Sequence, residues 1–311
     1  PFLSTKQFRI FFSYLFKIKM NKLNKMFTEV VKEYNIGELT SEPVKLTGGI
    51  TNIVYKIDTN KSSYVLKILS KKDLELFNDS VYISEVAHNN GINALCAIKN
   101  NNQYITHILT YDVVLYPYYD GIVLKHSEID NDKLKELAYS LAKLHKLEVK
   151  KELEDKYISY EKNNFLEYYN MTKDIDEECF KFFNENIDKL NKINDEVYEA
   201  YKKLPKKLSY VHKDFNRRNV LWKGNDFRII DWETSCVSMS VIDFMYAAWF
   251  ITDDFNLEKY KTFKEAYFEI NDLSDYLEDA INAGIIEEIN WLNYSLRRAL
   301  CLISNNSEEI K

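Results

Sequence analysis

Val211-His212-Lys213-Asp214-Phe215-Asn216-Arg217-Arg218-Asn219-Val220-Leu221-Trp222, followed shortly by Arg228-Ile229-Ile230-Asp231-Trp232-Glu233, is the stretch on which the reading of this 311-residue chain turns. Tyr210-Val211 and Val220 to Trp222 are short apolar runs that read as strands holding a polar loop between them. A third run, Phe227 to Ile230, ends abruptly in the carboxylate of Asp231. Such flanking runs fix where loop side chains point, which is how a rigid site is built. Asp214, Asn219 and Asp231 together form an all-oxygen set of the kind Mg²⁺ prefers. Taken alone, an Asp and an Asn on a loop equally mark a turn, because both bond their own backbone.

A second pattern lies upstream. Val44 to Ile57 alternates apolar and polar residues on both sides of Gly48-Gly49, which predicts a hairpin, and Ser63 to Leu69 predicts a further strand with Lys67 among apolar neighbours. Each feature alone is an ordinary turn or a solvent-facing lysine. Together they supply backbone N–H groups that can approach a phosphate and a fixed cation beside them. Leu74 to Asn89 reads as a helix carrying Glu75 and Glu85, and Tyr104–Thr110 and Tyr111–Tyr119 read as strands that Pro117 and Gly121 bring to an end. From Ile129 the chain turns helical: Leu134, Leu137, Leu141 and Leu144 share one face, Tyr157 to Tyr201 is a long charged helical block, and helices return over 241–251, 257–270 and 285–303.

Composition narrows the classes. Hydrophobic content of 46% and charged content of 29% are those of a soluble globular chain. The net charge of -6, with no long basic block, argues against nucleic-acid binding. Cys96, Cys179, Cys236 and Cys301 are scattered, so they read as reduced thiols of a cytoplasmic protein and suggest neither disulfides nor zinc. Phe11 to Phe16 is too short to span a membrane and is flanked by Arg9, Lys17 and Lys19. No small-residue cleavage site follows it, so residues 1–19 are set apart as an extension, with Met20 or Met26 as the expected start.

The spacing His-x-Asp-x4-Asn followed by a strand-end Asp resembles the catalytic loop and metal Asp of the protein-kinase-like fold. Asp231-Trp232-Glu233 in place of Asp-Phe-Gly, and Gly48-Gly49-Ile50-Thr51-Asn52 followed by Val65-Leu66-Lys67, resemble the aminoglycoside phosphotransferase and choline/ethanolamine kinase superfamily. That resemblance implies an α+β, protein-kinase-like two-lobed fold. A small antiparallel-sheet N-lobe over 20–117 would bind nucleotide, and a larger helical C-lobe over 118–311 would carry the catalytic loop and acceptor site. It implies ATP or GTP as donor, Mg²⁺ as cofactor, and an aminoglycoside, choline or ethanolamine-like hydroxyl acceptor.

The roles it implies are specific. Gly48, Gly49, Thr51, Asn52 and Lys67 would hold donor phosphates, with Glu85 orienting Lys67 from its helix. Leu115, Tyr116 and Tyr118 would meet the adenine edge at a hinge. Asn219 and Asp231 would hold the metal, Asp214 would orient the acceptor hydroxyl and take its proton, and His212 would brace the loop. Asp243, twelve residues beyond Asp231, would support the loop from beneath. Trp232, Tyr246 and Trp249 are candidates for an aromatic acceptor pocket, and Glu233, Asp253 and Asp254 for an acidic one. Glu233 reads equally as a solvated turn residue. The sequence departs from the family's usual pattern at Lys213, Arg217-Arg218, Ser238 and Ser240, where Gly, Pro-Gly, Gly and Pro are usual. None of these removes the base or a metal ligand, which sets a non-catalytic nucleotide-binding protein on the same fold behind the kinase reading.

Overall fold

The structure, a computed structural model, describes residues 21–46, 52–69, 74–172, 177–300 and 302. The expected phosphate-loop residues Gly48, Gly49 and Thr51 lie outside the described residues. The chain divides into two compact units, one of Pro1–Ile122 with Asp226–Glu233, the other of Val123–Asn225 with Thr234–Lys311.

The first unit is built on five antiparallel strands in the order β1-β2-β3-β5-β4. These are β1 (Val44–Leu46), β2 (Ile53–Asp58), β3 (Ser63–Ile68), β4 (Thr106–Ile108) and β5 (Tyr111–Pro117). The hairpin expected from the alternation around Gly48-Gly49 is present, with Leu46 opposite Val54. Strand alternation sends successive side chains to opposite faces, and the two faces have different cores. Leu66, Ile68, Val113 and Leu115 pack with Met26, Phe27, Val30 and Val31 of helix α1 (21–33). Val114, Tyr116 and Leu69 pack with Phe77 and Val81 of α2 (Leu74–Asn89). Lys67 falls between Leu66 and Ile68 and is therefore delivered to the α2 face, the side of Val114 and Tyr116.

Strand β8 (Asp226–Ile229) and the residues after it group with this sheet unit, whereas the sequence placed them in the helical lobe. The cause is a local pairing that sequence spacing does not report. Ile229 bridges Ala94 in parallel, its N–H donating to Asn93 O at 2.7 Å and its carbonyl accepting from Leu95 N at 2.9 Å.

The second unit is mainly helical. Its helices are α3 (Asn131–Lys146), α4 (Lys151–Glu154), α5 (Phe165–Thr172), α6 (Glu177–Lys203), α7 (Ser240–Ile251), α8 (Leu257–Phe268), α9 (Leu277–Ala283) and α10 (Ile286–Ala299). Asp130 caps α3 by accepting the Lys133 N–H. Its apolar stripe of Leu134, Leu137, Leu141 and Leu144 is buried, and α3 packs on α8 and on β6 (Leu208–Val211). β6 pairs antiparallel with β9 (Cys236–Met239), with Val211 opposite Cys236. β7 (Val220–Lys223) follows the catalytic-loop sequence. The pairing of β6 with β9 fixes one end of that loop, and the short 3-10 turn Arg217–Asn219, capped by the Asn216 side chain, shapes its middle. Among the described residues no helix is long and apolar enough to cross a membrane.

Candidate active site

The loop after β6 is held from beneath by one carboxylate. Asp243, in the first turn of α7, is 4% exposed. Its Oδ2 accepts the His212 N–H at 3.0 Å and its Oδ1 the Lys213 N–H at 2.8 Å. His145, at the end of α3, lies with Nε2 3.0 Å from Asp243 Oδ2 and Nδ1 2.7 Å from the Tyr267 hydroxyl. An ionised carboxylate can only accept, so Nε2 carries the proton and Nδ1 accepts from Tyr267. Asn271 Nδ2 donates to that same hydroxyl at 2.7 Å, closing a buried chain. Burial alone would raise the Asp243 pKa, but the His145 and His212 interactions outweigh it and hold the carboxyl below its usual range.

His212 is fully buried; its carbonyl accepts from Thr234 Oγ1 at 3.1 Å and its Nδ1 accepts the Asp214 N–H at 3.3 Å. Those contacts tie both the His212 backbone and its ring into the loop. Lys213 sits at φ +64°, the left-handed region that suits glycine. This fits the family's preference for Gly there: just after the two N–H groups held by Asp243 the backbone turns left-handed, and the next N–H, that of Asp214, comes back to the His212 ring. The Lys213 side chain pairs with Glu287 at 3.4 Å; burial works against its charge, but Glu287 raises its pKa on balance.

Asp214 is oriented by three side-chain donors. Oδ1 accepts from Asn216 Nδ2 at 2.6 Å and from the Tyr246 hydroxyl at 2.8 Å, and Oδ2 accepts from Asn219 Nδ2 at 2.7 Å. Burial first, and then the Asp214 carboxylate, push the Tyr246 pKa well above that of an ordinary tyrosine, so its hydroxyl stays a donor. Asn219 spends its amide nitrogen on Asp214, donating to its backbone carbonyl at 2.9 Å as well as to Oδ2. Sequence reading missed Asn216 and His145. Asn216 carried no signal beyond its place in the loop. His145 did carry one, as the single imidazole on an otherwise apolar helix face.

In the sheet unit, Lys67 forms the second constellation. Its Nζ is 2.9 Å from Asp231 Oδ1 and 2.5 Å from Glu233 Oε1, and it lies over the Tyr116 ring at 5.6 Å. Burial opposes the ammonium, but Asp231 and Glu233 more than offset it and raise its pKa well above the usual lysine value. Asn52 Nδ2 donates to the other oxygen of Glu233 at 2.6 Å. Asp231 itself is left-handed at φ +62°, a conformation Asp tolerates better than most residues. Its side chain is 44% exposed, against 16% for Glu233.

Two sequence expectations need correction. Glu85 does not face Lys67: it pairs with Lys99 at 2.7 Å and accepts the Tyr104 hydroxyl, because its turn of α2 faces the 96–104 segment. Trp232 is not a pocket wall, since it is 4% exposed and its indole N–H donates to Ile229 O at 2.9 Å. Trp249 stacks on Phe250 and Phe255 and donates to Asp254 at 2.8 Å, and Phe250 in turn meets the Tyr246 ring at 4.6 Å, so Trp249 and Tyr246 share one aromatic cluster. At the expected adenine edge, Leu115 O accepts Ile98 N–H at 2.7 Å and Tyr118 N–H donates to Ser63 O at 3.0 Å, so both groups take part in the sheet. Strand alternation turns the Pro117 carbonyl to the same edge as that of Leu115.

A cavity of about 430 Å³ opens within the second unit, lined among others by Tyr157, Tyr160, Tyr201, Lys213, Glu287 and Asn290. It therefore begins at the residue preceding Asp214 and runs along α10.

A family profile described as the phosphotransferase enzyme family matches residues 43–278, most of the chain. The chain belongs to that family. It is accordingly a phosphotransferase with an alcohol group as acceptor. Spectinomycin phosphotransferase in complex with ADP and spectinomycin is similar in fold, with a TM-score of 0.68 at 18% identity over 92% of this chain and 90% of that one. The ethanolamine kinase of Plasmodium vivax gives 0.61 at 20% identity over 86% and 78%. The choline kinase of Cryptosporidium parvum gives 0.53 at 18% over 83% of each. Among curated proteins the sequence finds no significant match.

Proposed function

We propose that this phosphotransferase moves the γ-phosphoryl group of ATP, or of GTP, to a hydroxyl of a small polar molecule. The observation that carries this reading is the Asp214 carboxylate, aimed by three donors on a loop whose backbone is held by Asp243. Phosphoryl transfer asks for positioning and charge neutralisation more than for covalent chemistry. Lys67 would hold the donor phosphates, and Asp214 would orient the acceptor hydroxyl and take its proton as the new P–O bond forms. The Pro117 carbonyl would meet the purine edge. Asp231 and the Asn219 carbonyl oxygen fit Mg²⁺ by donor chemistry, both being hard oxygens. When bound, that ion supplies positive charge to the phosphates.

The cavity lining supports one acceptor class over another. Lys213 stands in the wall and neutralises Glu287, so the lining lacks the surplus negative charge that a polycation needs. Amide and phenol groups make up much of the remainder, which favours a hydroxyl-rich acceptor carrying at most one amine. A small acceptor with a single cationic group, ethanolamine- or choline-like, therefore fits this lining better than a polycationic aminoglycoside, with the rings of Tyr157, Tyr160 and Tyr201 as its aromatic faces.

The test is Mg²⁺-dependent consumption of ATP and GTP across ethanolamine, choline, spectinomycin and an aminoglycoside panel, with Asp214→Asn alongside. Stimulation by one acceptor class, lost in the variant by about a hundredfold or more, is expected. Equal turnover in the variant would remove Asp214 from the reaction.

A further inference from the structure

Kinase chemistry requires the phosphate-binding lysine to be held in place, since a free four-carbon chain spreads its charge over many rotamers. The natural candidate from sequence, Glu85 on α2, is committed to Lys99 and Tyr104. Lys67 instead meets two carboxylates from the segment after β8, Asp231 at 2.9 Å and Glu233 at 2.5 Å. These two differ in how they are held. Asp231 is 44% exposed and is the residue expected to turn to the metal, whereas Glu233 is 16% exposed and fixed from its other oxygen by Asn52 at 2.6 Å. Each Glu233 oxygen thus has its own partner, and neither the carboxylate plane nor the lysine it holds is loose.

We propose that Glu233, clamped by Asn52, is the positioning residue for Lys67, doing in this chain what a helix glutamate does in the protein-kinase pattern. The inference rests on the phosphotransfer reading. It gives the third residue of Asp231-Trp232-Glu233 a role distinct from acceptor binding, and it explains the link to Asn52. This residue ends the Gly48-Gly49-Ile50-Thr51-Asn52 stretch, so the same carboxylate joins that stretch to the lysine. When Asp231 turns to a metal, Lys67 keeps one anionic partner and stays aimed at the phosphates. A single partner would leave it free at the moment the nucleotide arrives.

The experiment is a double-mutant cycle on the full chain, read by calorimetric titration with Mg·ATP and, separately, with adenosine. Glu233→Gln is expected to weaken Mg·ATP by at least about tenfold, the loss of one charge-assisted hydrogen bond, and adenosine by less than about twofold. In a Lys67→Met background the same change is expected to cost less than about twofold, because its effect runs through the lysine. A loss that is additive with Lys67→Met would make Glu233 an independent ligand of metal or phosphate and overturn the proposal. So would a loss in Glu85→Gln as large as that in Glu233→Gln. Wild-type protein that binds adenosine but gains nothing from the phosphates of Mg·ATP would overturn the phosphotransfer reading as well, whereas additivity with tight wild-type binding overturns this inference alone.

Discussion

Asp243→Asn is the substitution whose cost can be worked most directly from the geometry. The native carboxylate accepts three bonds, from His212 N–H, Lys213 N–H and His145 Nε2, at 3.0, 2.8 and 3.0 Å. An amide of the same shape keeps one acceptor oxygen. Placed at Oδ2 it still serves His212 and His145, but its NH2 then faces the Lys213 N–H, leaving a buried donor without an acceptor. That costs about 1–3 kcal/mol, and the two remaining bonds lose their charge assistance, roughly another 1–2 kcal/mol together. The total of about 2–5 kcal/mol is a large part of the stability of an ordinary domain. Urea unfolding with an unchanged m-value would read it as a lower midpoint. The pH dependence has a definite sign. The folded pKa of Asp243 is depressed, so its contribution is fully present above the unfolded value of about 3.9 and is lost as pH falls through the folded one. The variant's stability deficit is therefore expected to shrink below pH ~4 and to be constant near neutrality. A deficit under about 0.5 kcal/mol at pH 7 would refute the claim that this carboxylate holds the loop.

Two further outcomes follow from the same site. Lys213→Ala keeps a Cβ at φ +64° and loses the Glu287 pair, while Lys213→Gly loses the pair but relieves the backbone; Gly is expected to be more stable than Ala by about 1 kcal/mol in thermal unfolding, and the reverse order would show that the left-handed turn carries no strain. Tyr246→Phe removes one of the three donors to Asp214 and is expected to lower kcat by about tenfold with little change in nucleotide KM, which steady-state kinetics would read; an unchanged kcat would mean that Asn216 and Asn219 suffice to aim the carboxylate.

Much of the sheet unit was legible because its signals are local. Leu74–Asn89 forms the helix expected, the glycine pair sits between two paired strands, and Lys67 points where strand alternation sends it. The loop after β6 was legible for the same reason, since Asp214 and Asn219 lie five residues apart between two short strands and meet across it. What sequence could not give were choices among equivalent partners. Glu85 and Glu233 are both carboxylates within reach of a reasonable guess, and only the turn of α2 toward Lys99 and the pairing of Ile229 with the 93–95 segment decide between them. Trp232 illustrates the opposite error. Its ring offered an aromatic face for the acceptor, yet it is buried and its N–H found a carbonyl three residues back.

The chain of contacts from Asn271 through Tyr267 and His145 to Asp243 has a consequence for how this protein tolerates change. Tyr267 and Asn271 stand on and just beyond α8, yet they hold the far side of the imidazole that meets Asp243 beneath the loop after β6. A conservative replacement there, Tyr267→Phe for example, leaves every residue around Asp214 intact and still strips the buried Nδ1 of its partner. Turnover is thereby made hostage to the upkeep of a distant helix. Screens that look for rate-altering variants only around the reacting groups will pass over part of the machinery that keeps those groups in register.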